Sequence, residues 1–209
     1  MYHKIDVITP TLWWVSRSQF LHHMTILDRL TVVHLDDYDP TDSTHCVITF
    51  DDSYENVYRH ALPILKAKRY PFEVFINSDL IGKWNHFDTI EPLTRFCSLD
   101  QLIVMAANGG RIQWHTRSHP NLTSIDLPAV LRELDVPTWL RDQFPAPHLR
   151  WLAYPYGAHT PSIVDEAKDL FSGALSVVDG SNTDRYMFNR ITVSEDLGLE
   201  AIIKDHQSL

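Results

Sequence analysis

Short apolar stretches alternate with helical stretches along this chain, and that alternation predicts an α/β fold: a parallel sheet covered by helices on its outer face. The apolar stretches are five or six residues long and rich in β-branched or aromatic side chains, as buried strands are. Six or seven such units suggest an incomplete or distorted barrel rather than an open, doubly wound sheet. No linker, repeat or low-complexity tract divides the 209 residues, so 1–209 is expected to form a single domain.

The elements follow in order. YHKIDVI, near the start, reads as an additional strand. Ser16 or Ser18 can cap a helix whose Phe20, Leu21, Met24, Leu27 and Leu30 share one face. TVVHL (31–35) and HCVITF (45–50) read as strands. A helix runs from about Tyr54 to Lys68, and Pro63 must bend or restart it because proline has no N–H to donate. After the strand FEVFIN (72–77), Ser98 opens the helix LDQLIVMAA, which Gly109 and Gly110 close. RIQWH (111–115), RWLAY (150–154) and ALSVV (174–178) complete the strands, and Thr160 followed by Pro161 starts the helix SIVDEAKDLF.

Composition excludes several functions. Lys plus Arg is 18 and Asp plus Glu is 27, a net charge of 18 − 27 = −9, the wrong sign for a nucleic-acid footprint or for an anionic membrane. No apolar run reaches spanning length, so no membrane insertion is expected. MYHKIDVITPTLWWVS lacks a basic segment followed by a long apolar one, which predicts a cytoplasmic location. Cys46 and Cys97 are far apart and form no metal-like pair; Cys46, inside an apolar run, is expected to be a buried free thiol. With twelve histidines, one matters only where its spacing does.

In barrels of this type chemistry sits where strands end and loops lead into helices. Three polar clusters fall there. Asp51 and Asp52 follow the strand 45–50; two adjacent carboxylates disfavour each other's ionisation unless a cation or hydrogen bond intervenes. His115 closes the strand 111–115, and His119 stands four residues on. Tyr154, Pro155 and Tyr156 close the strand 150–154. Singly, these read as a solvated turn, two surface histidines and a structural turn. Together, two histidines and one carboxylate make a set that holds zinc or another first-row divalent ion with positions left open. One acid could then ligate while the other serves as a base. A second acid cluster, HLDDYDP (34–40), reads as a solvated turn, and Trp114 as a core residue.

The ordered set TFDDS, HTRSHP and YPYG resembles the polysaccharide deacetylase family, or NodB-homology domain, whose motifs read TFDDG, H-S/T-x-x-H-P and R-x-P-Y-G. The likeness runs from MYHKI through ALPILKAKRYPFEVFIN and HPNLTSI to NRITV. It implies a distorted (β/α)7-type barrel and metal-dependent removal of an N-acetyl group from a carbohydrate substrate. By position it implies Asp52, His115 and His119 as ligands of one divalent ion, zinc first, with cobalt, nickel, manganese or iron as alternatives. Asp51 would be the general base, and Tyr156 would lend its N–H to an oxyanion.

Four departures from the pattern stand out. Ser53 replaces the motif glycine, and Ala153 stands where many members carry an arginine that orients the base. No D-x-x-D-W segment occurs. No L-x-H histidine follows the last strand, and His206 in KDHQSL matches it poorly. One branch, resembling the biofilm poly-N-acetylglucosamine deacetylases, shares the arginine loss and takes its general acid from an amino-terminal histidine in a YH motif. MYHKI offers His3 in the matching place, with His206 as the fallback. A deformylase or other small-amide hydrolase with the same site is the nearer alternative reading, and a catalytically silent sugar-binding module the more distant one.

Overall fold

The computed structural model describes residues 1–177 and 183–207, with side chains as far as Lys204. β1 (Lys4–Asp6) pairs in parallel with β2 (Trp14–Ser16). Of the two candidate caps, Ser16 is the one used: its side chain accepts the Gln19 N–H at the head of α1 (Arg17–Ile26). Phe20 and Met24 are buried there while Leu21 is exposed, so the apolar stripe is narrower than its spacing suggests. β3 (Thr31–Val32) and β4 (His45–Cys46) form a separate two-stranded ribbon.

The main sheet contains β5 (Thr49–Phe50), β6 (Phe72–Ile76), β7 (Gly110–Trp114), β8 (Trp151–Ala153) and β9 (Gly173–Leu175), parallel throughout and adjacent in chain order. Each strand returning beside its predecessor is the winding of a barrel rather than of a doubly wound sheet. Backbone hydrogen bonds carry the curl further. The Tyr2 N–H donates to Thr49 O (2.8 Å) and the Asp51 N–H to Tyr2 O (3.0 Å), which lays the amino-terminal segment beside β5. On its other side Met1 O accepts from the Val193 N–H (3.0 Å), and Ser176 N–H beyond β9 donates to Phe188 O (2.7 Å). Residues 188–193 thus bridge β9 to the amino terminus.

That closure corrects one strand assignment. TVVHL is not a barrel strand, because Tyr2 takes the place beside β5 and HCVITF splits, only its second half reaching the sheet. Val178, the last residue of the expected strand 174–178, lies outside the described residues.

α2 (Leu62–Lys68) is preceded by a π-helical turn, Val57–Ala61. Pro63, lacking an N–H, forces that widening in what the sequence reads as one continuous helix. Ser98 and Gln101 form a reciprocal capping box on α3 (Leu99–Ala106). Asp126 caps α4 (Leu127–Leu134); α5 (Thr138–Gln143) follows, and Thr160 caps α6 (Pro161–Leu170) through the Ile163 N–H. α7 (Leu199–Gln207) comes last. α1, α3, α4 and α6 start at side-chain caps, whereas α2 and α5 have none. Among the described residues no helix is long and apolar enough to cross a membrane. Trp114 is buried in the core, its indole N–H donating to Glu133 O at 3.0 Å. Cys46, expected to be buried, is half-buried at the end of the short β4, whereas Cys97 is buried and burial pushes its thiol up to about 12.

The amino-terminal ends of the strands are closed by polar groups. Glu73, fully buried on β6, accepts from His34 Nδ1 (2.9 Å), the Leu35 N–H (3.0 Å) and Gln113 Nε2 (2.8 Å). Asp36 accepts from Trp151 Nε1 (2.9 Å) and pairs with Arg111 and Arg150, both at 3.0 Å. The HLDDYDP segment is therefore an anchoring cluster rather than a solvated turn. Glu73→Ala removes one partner from three buried or half-buried donors, and we expect a loss of about 3–5 kcal/mol in urea unfolding; a change below about 1 kcal/mol would show that the cluster contributes little.

Candidate active site

The opposite rim, at the carboxyl ends of the strands, collects the three polar clusters TFDDS, HTRSHP and YPYG. Asp51, Asp52 and Ser53 leave β5, Asn77 leaves β6, His115 and Thr116 leave β7, and Tyr154–Tyr156 leave β8. Tight turns aim them inward. Asp52 (φ 67°), Ser53 (54°), Thr116 (70°), His119 (64°) and Tyr156 (60°) all adopt the left-handed backbone conformation, which costs a non-glycine residue roughly 1–2 kcal/mol. Such concentrated strain persists only where surrounding contacts hold it. Thr116 Oγ1 accepts the His119 N–H (3.1 Å), and Asn77 Nδ2 donates to the carbonyls of His115 and Thr116. Gly157 (φ 67°) could carry no side chain: a Cβ there would lie 2.5 Å from Val177 Cγ2.

These turns bring Asp52, His115 and His119, all buried, to one point, with one potential ligand atom from each within 4.8 Å of the others. Asp52 Oδ1 lies 3.4 Å from His119 Nε2 and 3.7 Å from His115 Nε2. It is buried and takes no hydrogen bond from the protein. Ligands about 2.0–2.2 Å from zinc at tetrahedral angles stand roughly 3.3 Å apart, so the spacing suits a shared ion. His115 Nδ1 lies 2.7 Å from Ala153 O; donating to that carbonyl fixes the tautomer and leaves the Nε2 lone pair facing Asp52. Burial, partly offset by Asp51, lowers the pKa of His115 and favours the neutral, ligating form. An unpaired buried carboxylate oxygen facing two imidazoles is an unfavourable arrangement unless a cation bridges it.

Asp51 is held quite differently. Arg190 Nη1 and Nη2 donate to its two carboxylate oxygens, each at 2.7 Å, with both side chains buried. Arg190 itself is fixed by donation from Nε to Ser176 O (3.3 Å), and its guanidinium lies 5.5 Å from the Phe75 ring centre. Burial alone would raise the Asp51 pKa, but the guanidinium and nearby His115 outweigh it and hold the carboxyl well below the usual range. Sequence reasoning gave Arg190 no role, and its signal was its place in NRITV, the last stretch of the family likeness.

His3 follows Tyr2 onto the same rim, half-buried and edge-on to Trp13 at 4.8 Å. Burial lowers its pKa to about 4 against the opposing pull of Asp52 and Asp51. Tyr156 is exposed, its ring 4.8 Å from that of His119, and its N–H has no protein acceptor among the described residues. His206 lies on α7 with its side chain outside the described residues.

The family model for polysaccharide deacetylase matches residues 38–171. The chain belongs to the polysaccharide deacetylase family. Membership places it among the carbohydrate deacetylases, hydrolases with a carbohydrate substrate whose family is generally metal-dependent. The fold is shared with the Streptococcus pyogenes deacetylase PplD in complex with acetate, at a TM-score of 0.81 and 21% identity over 98% of this chain and 95% of that one. It is similar to IcaB from Ammonifex degensii (TM-score 0.77, 22% identity, 99% and 95% covered). It is also similar to a de-N-acetylase from Aggregatibacter actinomycetemcomitans (0.74, 18%, 98% and 97%). No curated protein matches. Arg190 stands 37 positions beyond the family's motif arginine (190 − 153), where this chain has Ala153.

Arg190→Met strands the Asp51 charge in the interior, and we expect a loss of about 3–5 kcal/mol in chemical unfolding. Combining it with Asp51→Asn should recover part of that loss. Two changes that merely add would show the pair to be uncoupled.

Proposed function

We propose that this chain hydrolyses the acetamide of an N-acetylated sugar, with Asp52, His115 and His119 holding one divalent ion, zinc first among the candidates. The observation that carries this reading is the buried, donor-less Asp52 oxygen beside two imidazole nitrogens. When bound, such an ion polarises a carbonyl and lowers the pKa of water toward neutrality.

The protein's own groups supply the rest. Asp51, kept ionised by Arg190, accepts the proton of the attacking water as general base. The bidentate grip fixes where the accepting oxygen sits, so the proton acceptor is oriented before substrate arrives. It also answers the loss of the motif arginine, and so favours turnover over a silent sugar-binding module. The Tyr156 N–H donates to the developing oxyanion. His3 delivers a proton to the departing nitrogen, because an amine anion is too poor a leaving group to depart unaided. Burial keeps His3 neutral in the resting site near pH 7, so the proton it delivers is supplied within the cycle and balanced by the one that Asp51 takes from water.

Zinc-loaded protein should release acetate from N-acetylglucosamine oligomers, and removing the metal with a chelator should abolish that release reversibly. Acetate release that fails across zinc, cobalt, nickel, manganese and iron overturns the reading; release of formate but not acetate turns it into a deformylase. Asp51→Asn should lower kcat by about 10²–10⁴-fold while zinc stoichiometry, measured by metal analysis, is unchanged. His3→Ala should lower kcat about 10²-fold with the same metal content; near-normal turnover would transfer the acid role to His206 or to water.

A further inference from the structure

Between β6 and α3 the chain makes a long excursion whose middle, residues 82–96, folds back on itself. Asn85, fully buried, braces it from within: Nδ2 donates to Pro92 O (3.2 Å) and Oδ1 accepts the Thr94 N–H (2.6 Å). Its return arm is stitched to the turn that carries Asp52, the Glu55 N–H donating to Arg95 O (2.8 Å) and the Cys97 N–H to Ser53 O (2.9 Å). The outgoing arm, paired with it through the Trp84–Arg95 bridge, carries Phe87 to the site. That ring stacks on His119 at 5.2 Å and on Phe96 at 6.2 Å, and Phe96 stacks in turn on Tyr54 at 4.7 Å. Phe87 remains 40% exposed, and Tyr156 touches the same imidazole with 60% of its own surface open. Two aromatic rings therefore flank one proposed metal ligand.

A second set of contacts fixes the far side of the excursion. Glu91 accepts from Lys4 Nζ (2.9 Å), Trp14 Nε1 (2.9 Å) and Thr11 Oγ1 (2.6 Å). Lys4 is 2% exposed, with its ammonium 4.4 Å from the centre of the Tyr54 ring. A buried ion pair is a weak source of stability, since desolvation cancels much of the attraction. Its use lies in geometry: each partner has one low-energy position, so the excursion docks on β1 and β2 in one register. The proposed chemistry uses neither residue, nor Phe87.

We propose that Phe87 is the apolar wall against which the sugar ring packs, and that the Lys4–Glu91 pair is the positioning element that holds it there. This rests on the deacetylase reading above. A pyranose presents an apolar C–H face as well as hydroxyls, and a rigid aromatic ring offers large contact area with little conformational entropy to lose. Stacked on the imidazole of His119, Phe87 borders the position where the acetamide must lie. Glu91 acts through it as a positioning residue.

The test uses the full chain loaded with zinc, with an N-acetylglucosamine trimer as probe in both calorimetry and steady-state kinetics. Phe87→Ala should weaken binding and raise KM about tenfold, with most of the loss in KM rather than kcat, while Phe87→Trp retains affinity. Glu91→Gln, nearly isosteric, should shift KM in the same direction, and Phe87→Ala/Glu91→Gln should be no weaker than Phe87→Ala alone. Zinc affinity, titrated on the apo form, should be the same in all of them. Affinity within twofold of wild type for Phe87→Ala, or fully additive losses in the double variant, overturns the proposal. Wild-type protein that neither binds nor deacetylates the trimer overturns the deacetylase reading, and this one with it.

Discussion

A carboxylate oxygen shut away from water with no donor, set between two imidazole nitrogens, is the constraint around which this rim is organised. Left alone, Asp52 Oδ1 would be a net cost to the fold. The protein nevertheless builds the arrangement from separate strand ends and supports each piece. Asn77 holds the carbonyls at His115 and Thr116, Ala153 O sets the His115 ring, and Thr116 Oγ1 restrains His119. The curl of the parallel sheet makes the convergence possible, since a flat sheet would spread the ends of β5, β7 and β8 along a line.

Two neighbouring aspartates acquire opposite characters from their surroundings. Asp51 meets a guanidinium bidentately and is stabilised as an anion by the protein itself. Asp52 Oδ1 faces two imidazoles and takes no hydrogen bond from a donor. The mutual repulsion that makes an adjacent acid pair awkward in sequence is thus relieved on one side by a residue from a distant segment. On the other side it is left for a ligand to relieve. Division of labour between the proposed base and the proposed metal ligand follows from this asymmetry, not from any difference in residue type.

Much of this was legible in sequence because it is local. Strand and helix periodicities, the caps at Ser16, Ser98 and Thr160, and the position of Asp51, Asp52, His115, His119 and Tyr156 at strand ends all depend on neighbours a few residues away. Pro63 announced a disruption, though not that it would take the form of a π turn. What escaped is non-local. The TVVHL stretch has the composition of a barrel strand, but which segment pairs with β5 is decided by competition with Tyr2, and no local pattern records that contest. Arg190 reaches Asp51 across 139 positions (190 − 51), and Asp36 reaches Trp151 and Arg150 across comparable gaps. A long-range partner leaves no spacing to read. Glu91 and Phe87 likewise belong to an irregular excursion with no periodicity at all.

The backbone at position 53 has a practical side. Ser53 is buried in a left-handed turn beside Asp52, a conformation that a glycine adopts without steric penalty. Every folded copy of this chain therefore carries a handicap that one methylene-hydroxyl group imposes on the turn. Evolution has left slack at the heart of the molecule, and anyone wishing to make it hardier against heat has an obvious place to begin.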